Sequence, residues 1–341
     1  MQGTLLNTVT FPEFVDLIRK SFVHIDQMAV PASKPMFIHQ GIPKGNGNTK
    51  RFDEVDIETF SRRKREAAKS SKASTGVGYN VTMTKKRVAM EIDITQEMRD
   101  ENRSAEVGTL IRQLGHFNPQ RIELDGTHIL TFCNATAYTD MDGDSNIVTV
   151  GDNRSLINSG HLLKFSSLTY SNRVAGDPLF SGGALELAEQ LATTSILSNF
   201  GEKRVIKFNT IVTSEDPNTC NTVKRYLSSM ADVDAAHAGV MNVNKDKYTH
   251  IKLPYLDSTA TGANDSTKRK WWFLGAFGQG TQGWQAYYGE WEASHLKSIS
   301  TSEDGANHDY SADVWTFGTR AGYGHRVISG RGLIGSLPTS S

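Results

Sequence analysis

The sequence predicts an α+β fold. Apolar residues recur at helical spacing in some segments and alternate at strand spacing in others. The two kinds of segment intermingle without the regular strand–helix–strand alternation that builds a doubly wound parallel sheet. Glycine is abundant, with 30 residues in a Ser/Thr/Asn-rich chain of 341, so much of the structure is loop and short strand. That length favours two sub-domains, or one elaborated domain, around a substantial core.

Taken in order, the chain opens on a segment with one short helix. Thr10 and Glu13 have the spacing of a capping box, and Phe14, Leu17, Ile18 and Phe22 form one apolar face. "HQGIPKGNGNTK" is rich in breakers and reads as irregular. "KRFDEVDIETF" and "GYNVTMT" read as strands, and "RVAMEIDI" alternates with Val88, Met90, Ile92 and Ile94 on one side. Between the first two strands lies a charged stretch with Arg62, Arg63, Lys64, Arg65, Lys69 and Lys72 against Glu66. Two strands joined by such a tip make a protruding hairpin, because the tip has too few apolar residues for a core of its own.

The longest helical pattern follows, with Val107, Leu110, Ile111 and Leu114 on one stripe and Asn118-Pro119 expected to interrupt or kink it. Turn-rich sequence leads to a helix capped by Ser181, with Ala184, Ala188, Leu191 and Ser195 on one side. "RVIKFNTIV" reads as a strand. Asp216-Pro217 opens a further helix in which Cys220, Val223, Leu227 and Met230 share a face. From Asn242 onward the chain is strand and loop. Trp271 and Trp272 are adjacent in a strand-like run, so they face opposite sides and can bury against two layers.

Composition excludes several classes of function. Lys plus Arg equals Asp plus Glu at 37 each, so no global field steers nucleic acid or an anionic membrane. The two cysteines, Cys133 and Cys220, make no framework and read as small buried apolar side chains. No signal-peptide pattern opens the sequence, and no run of about 18 apolar residues suggests a membrane span.

Candidate chemistry is sparse. Gly278, Gly280 and Gly283 spell the dinucleotide fingerprint, which needs a strand before it and a helix after it. The following "WQAYYGEWEA" alternates like a strand, and the acidic residue expected about twenty positions on falls at Glu303, in a soft loop. A glycine-rich hairpin or loop between strands is the better expectation. Asp140, Asp142 and Asp144 mimic a calcium loop, but Ser145 stands where its glycine belongs and Gly151 where its glutamate belongs. The histidines fit no zinc motif, and neither a nucleophile elbow nor a Walker A loop is present. The basic tip at 62–72 can contact phosphate, sit solvated, or reach an acidic patch on a neighbouring subunit. No interleaved aromatics offer a stacking platform for single strands.

The stretch "TAYTDMDGDSNIVTVGD…GHLLKFSSLTYSNRVAGDPLFSGGALELAEQ", residues 136–190, resembles the middle of tailed-bacteriophage major capsid proteins. A Tyr-Thr-Asp-x-Asp-Gly turn, "TYSNR" and a helix opening "FSxGAL" occur there in that order. "WWFL…QAYYGEWE" and "WTFGTRAGYG…GLIGS" are similar to the same family's C-terminal half, so the resemblance spans roughly residues 45–336.

The resemblance implies the Hong Kong 97 phage fold and an assembly function. It implies an N-terminal arm at 1–45, an extended loop at 46–94, and a peripheral domain with a spine helix at 95–214. An axial domain at 215–310 and C-terminal strands at 311–341 returning to the body complete it. It also implies pentamers and hexamers of this chain in an icosahedral shell around double-stranded DNA, which the chain would touch non-specifically, in a virion built in the bacterial cytoplasm. A portal is implied, a decoration protein is an optional partner, and the early start of the arm favours a separate scaffolding protein. Neither cofactor nor membrane is implied. The inter-subunit contacts expected are Arg62, Arg63, Lys64, Arg65, Lys69 and Lys72 on the loop and Phe14, Leu17, Ile18 and Phe22 on the arm. Some relatives crosslink a loop lysine to an asparagine, and Lys69 and Lys72 match by position alone. The alternatives are a nucleotide-dependent enzyme using the 278–283 loop and a nucleic-acid-binding protein using the 62–72 tip.

Overall fold

The computed structural model describes residues 11–28, 31–43, 45, 47–58, 60–61, 63–64, 66, 69–101, 103–230, 241–279, 283–297, 308–309, 311 and 313–339. The elements run α1 (Phe11–Met28), β1 (Ile38–Gly41), β2 (Thr49–Ile57), β3 (Thr75–Thr84), β4 (Lys86–Thr95), α2 (Gln96–Asp100) and α3 (Ser104–Thr131). Then come β5 (Ala137–Thr139), β6 (Ser145–Ile147), β7 (His161–Leu162), β8 (Thr169–Tyr170), α4 (Gly182–Thr194), β9 (Thr210–Ser214) and α5 (Pro217–Ser228). The chain closes with β10 (Thr249–Leu253), β11 (Trp272–Gly275), β12 (Ala286–Leu296), β13 (His308–Asp309), β14 (Val314–Val327) and β15 (Leu333–Ser336).

Two sheets organise the body. In the first, β14 lies between β12 and β4, with β1 beyond β12 and β13 beside the start of β14. Helix α3, 28 residues long, packs on β14 and β4 of this sheet. Its stripe of Val107, Ile111 and Leu114 is buried as the spacing required. Pro119 does not interrupt it. The helix runs through, and Asn118 turns its amide inward to donate to Ser294 Oγ at 2.9 Å.

The N-terminal segment departs from the expected arm. Helix α1 lies along α3, where Val15, Ile18 and Phe22 meet Ile111, Leu114, Trp315 and Phe317. Ile18 and Phe22 are 0% and 2% exposed, each burial contributing about 1.5–3 kcal/mol. In the subunit, this face is therefore committed to its own chain. The side chains of Phe14 and Leu17, and all of Thr10, lie outside what is described. Nor is "HQGIPKGNGNTK" wholly irregular, since His39–Gly41 pair in parallel with Tyr288–Glu290 of β12.

The second sheet runs β10-β9-β11-β15, with α4 and α5 packed on it. Ser181 and Asp216 cap the two helices by accepting from the amides of Ala184 and Thr219. Met230 falls beyond α5 and is exposed, while Cys220, Val223 and Leu227 are buried. Trp271 and Trp272 do face two layers. Trp271 joins the central core with Leu253, Phe277 and Trp284, whereas Trp272 sits among Phe180, Ala184 and Val223 under the helices. The strands β9 and β15 bracket β11, so this layer draws on residues before 215 and after 310. Strand β12, although inside 215–310, belongs to the other sheet.

The glycine loop connects these two sheets. Strand β11 ends at Gly275 and β12 starts at Ala286, each pairing with different partners, so the loop is a crossover and not a hairpin. Strand, not the helix that a dinucleotide fingerprint needs, follows it at Ala286; Gly280 lies outside the described residues. The loop's tight seat depends on Gly332, where an added Cβ would stand 2.3 Å from the backbone nitrogen of Trp284. Backbone cannot yield as a side chain can. Gly332→Ala is therefore expected to destabilise the protein by about 3 kcal/mol, read from denaturant unfolding, whereas Gly45→Ala, with open space at its Cβ, changes little.

Candidate functional site

Strands β2 and β3 form a two-stranded antiparallel hairpin apart from both sheets. At its root Phe52, Val81 and Met83 pack with Ile42, Trp291 and Ile328, and Phe52 stacks on Tyr287 with ring centroids 4.3 Å apart. The pairing runs out to Glu58 and Ser74, whose amide and carbonyl meet at 3.1 Å. Strand β4, within the segment expected for the extended loop, pairs along β14 and belongs to the body.

A buried polar knot fixes the hairpin to the body. Arg331, in the turn after β14, forms an ion pair with Glu54 of β2. Its Nη2 donates to Asn199 Oδ1 at 2.7 Å and its Nε to the Leu197 carbonyl at 2.8 Å. Asn199 completes the triangle, donating from Nδ2 to Glu54 at 2.9 Å and from its amide to Asp56 at 3.0 Å. Arg331 and Glu54 are each 3% exposed and Asn199 is fully buried. Three distant segments therefore meet at one desolvated charge pair, which is stable only because every partner is in place.

The outer face of the hairpin is exposed among the described residues. Val55 and Val77 stand directly opposite each other and are 77% and 56% exposed, with Ile57 and Phe60 continuing the apolar run. At the tip Arg63, Lys64, Lys69 and Lys72 are all exposed, while Arg62 and Arg65 lie outside the described residues. Neither Lys69 nor Lys72 has an ion pair among the described residues, and the structure brings no asparagine–carboxylate constellation to them there. The apolar ladder was the feature that sequence reasoning missed. Its signal was the alternation in "RFDEVDI", where Phe52 and Glu54 take one face and Val55 and Ile57 the other, across a register shift between Asp53 and Val55.

The other candidates resolve into structure. Asp140 accepts from the amides of Asp142 and Asp144 and from Asn146, so the acidic turn closes on its own first carboxylate. Burial pushes Asp140 up, but these donors and Lys86 outweigh it and hold it below the usual carboxylate range. Arg121 pairs with Asp142 at 2.7 Å. No cluster of metal-ligating side chains is found among the described residues. Cys133 and Cys220 are buried and unpaired, as read from sequence. No helix of the described residues is long and apolar enough to cross a membrane.

The described elements thus set a long helix on a five-stranded sheet beside a second α+β layer and a separate two-stranded hairpin. No family model and no curated protein matches the sequence. Among solved structures, a chain of Gordonia phage Cozz has a TM-score of 0.50 at 9% identity, covering 92% of this chain and 87% of its own. The likeness establishes a shared α+β fold. A chain from the mature capsid of bacteriophage PhiM1 gives 0.49 at 11% identity, covering 89% and 85%. A chain from the capsid of cyanophage P-SCSP1u gives 0.48 at 11% identity, covering 90% and 87%.

Proposed function

We propose that this chain is the major capsid protein of a tailed double-stranded DNA bacteriophage. It would self-assemble into the pentamers and hexamers of an icosahedral shell, in a virion built in the host cytoplasm, with no enzymatic step. The fold shared with a phage chain supports this reading, as do the motifs of residues 136–190. The single observation that carries it is the hairpin, which sets an apolar Val55–Val77 ladder and a cationic tip in solvent on a rigid root. A monomer gains nothing from such a surface, and exposed apolar patches of this kind mark sites of association. Residues 95–214, with α3 as the spine helix, would form the peripheral domain and residues 215–310 most of the axial one, their sheets completed by strands from outside those ranges. Ring contacts around the axial layer would close by rotation, and weak contacts repeated over a shell would sum to a stable particle. Scaffolding protein, portal and decoration protein remain the partners of this reading. Phe14, Leu17, Ile18 and Phe22 would remain the arm contacts of this reading, provided that the helix exchanges its partner on assembly.

The experiment combines imaging with a surface variant. Purified chain, alone or co-expressed with its scaffold, is expected to give large closed particles or capsomers by electron microscopy and light scattering. Replacing Arg63, Lys64, Lys69 and Lys72 together by serine is expected to leave subunit melting within about 0.5 kcal/mol of wild type, as exposed positions do, while particle yield falls. A strictly monomeric chain in the presence of scaffold would overturn the reading.

A further inference from the structure

We propose that Arg326, with Arg87 on the same cavity, forms an anion site that accepts a carboxylate from a second copy of this chain. The inference rests on the assembly reading and adds a specific contact to it. Arg326 lies near the end of β14, opposite Tyr287 of β12, and lines a cavity of about 420 Å³ between β4, the hairpin root and the 140–147 turn. Its Nη1 donates to the carbonyl of Ile147, while its Nε is closed off from solvent with no hydrogen-bond partner. Among the described residues no carboxylate pairs with it. Burial alone acts on this guanidinium, pushing it below its usual range with no carboxylate to offset the cost.

The neighbouring cations are not in this position. Lys86 reaches Asp125 at 3.2 Å, Arg121 is shared among Asp125, Asp140 and Asp142, and Lys85 reaches Glu292 at 3.8 Å. Arg331, the other arginine enclosed near the hairpin, has Glu54. That leaves Arg326 and the exposed Arg87 as the uncompensated pair on this cavity. Arg326 is half-buried with its Nε closed off, and a partly desolvated charge without a counter-ion costs stability. Here the chain supplies no carboxylate from its own described residues, so the site is suited to an external anion.

The lining also decides which anion. Asp142 and Asp144 stand on the same cavity, and Asp144 has no cation partner among the described residues. A duplex carries a negative charge about every 1.7 Å, so it would set phosphates against Asp144 as well as against the arginines. A protein surface carrying both signs fits both walls. The chain has equal numbers of acidic and basic residues, so copies of it can complement one another.

The test uses R326M and R326K in the full chain. If the site is intermolecular, R326M removes a partnerless charge, so the unassembled subunit melts at or above the wild-type temperature. Assembly followed by light scattering then needs about tenfold or more protein, and R326K, which keeps the charge without the planar fork, falls between. Particle maps should place a carboxylate of an adjacent copy within hydrogen-bond distance of the Arg326 guanidinium. An R326M subunit that is less stable while assembly is unchanged makes the arginine an internal structural residue and overturns the proposal. So does a map in which DNA phosphate, or nothing, meets the guanidinium. Wild-type chain that forms no particle overturns the assembly reading and this inference together, whereas equal particle yield from wild type and R326M overturns this inference alone.

Discussion

Arg331→Met is expected to lower the stability of the subunit by about 3–5 kcal/mol, because it strands Glu54 in a desolvated site. Glu54 is held there by the guanidinium and by Asn199, and neither can be replaced by solvent at 3% exposure. The reverse change, Glu54→Leu, strands Arg331 and is expected to cost a similar amount. The double variant R331M/E54L removes both charges, so its loss should fall well short of the sum of the two singles. That non-additivity is the signature of a paired network. The effect should also be local. Amides of β2 and β3 are expected to exchange faster in R331M, while those of α3, on a separate core, change only as global stability falls. Denaturant unfolding of the three variants together with hydrogen exchange checks this, and additive losses would refute the coupling.

Acidification is the second large effect. His128 is 1% exposed between the rings of Phe132 and Tyr138, and burial holds it down to about 4. His325 is enclosed by Phe37, Tyr288 and Tyr323, and burial holds it down to about 3. Both are therefore neutral in the folded chain, and both regain an ordinary value near 6.5 on unfolding. The unfolded state binds more protons than the folded one between those limits. Stability is thus complete above about pH 6.5 and is lost as pH falls below it, down to the folded values. Each histidine contributes a slope of about 1.4 kcal/mol per pH unit inside that window. From pH 6.5 to 5 the two together should remove about 3–4 kcal/mol. The carboxylates held low, Asp16, Asp140, Asp152 and Asp265, act only as pH falls through and below the ordinary carboxylate range, so they do not confuse this interval. His250, held down to about 4 chiefly by burial, titrates in the same window. His325→Phe, which keeps the aromatic packing and removes one of three such titrations, should therefore lower the slope of stability against pH by about a third. An unchanged slope would mean that His325 does not titrate as its surroundings require.

Much of the architecture could be read before any coordinates. The helix over Val107–Leu114, the caps at Ser181 and Asp216 and the opposed burial of Trp271 and Trp272 all followed from spacing. These are local properties, set by the periods of helix and strand and by single side chains that satisfy terminal amides. The protruding hairpin was legible for the same reason, since a long charged stretch between two strands cannot fold back on itself.

What spacing could not decide was which surfaces find partners within the chain. The apolar face of α1 was equally compatible with a neighbouring subunit and with α3, and packing against Ile111, Leu114 and Trp315 chose the latter. The apolar ladder of Val55 and Val77 was equally compatible with a buried sheet, and a two-stranded hairpin left it in solvent. The glycine loop had the spacing of a nucleotide fingerprint, yet became a crossover between sheets once β11 and β12 chose different partners. Arg331, Glu54 and Asn199 lie far apart in sequence and carry no motif, so only the folded chain brings them to one buried point. The elements, their caps and the composition of the exposed tip were legible along the chain, because those depend on neighbours a few residues away. The tertiary structure decided which apolar faces and which charges remain unpaired, because burial and charge compensation depend on residues that meet only in space.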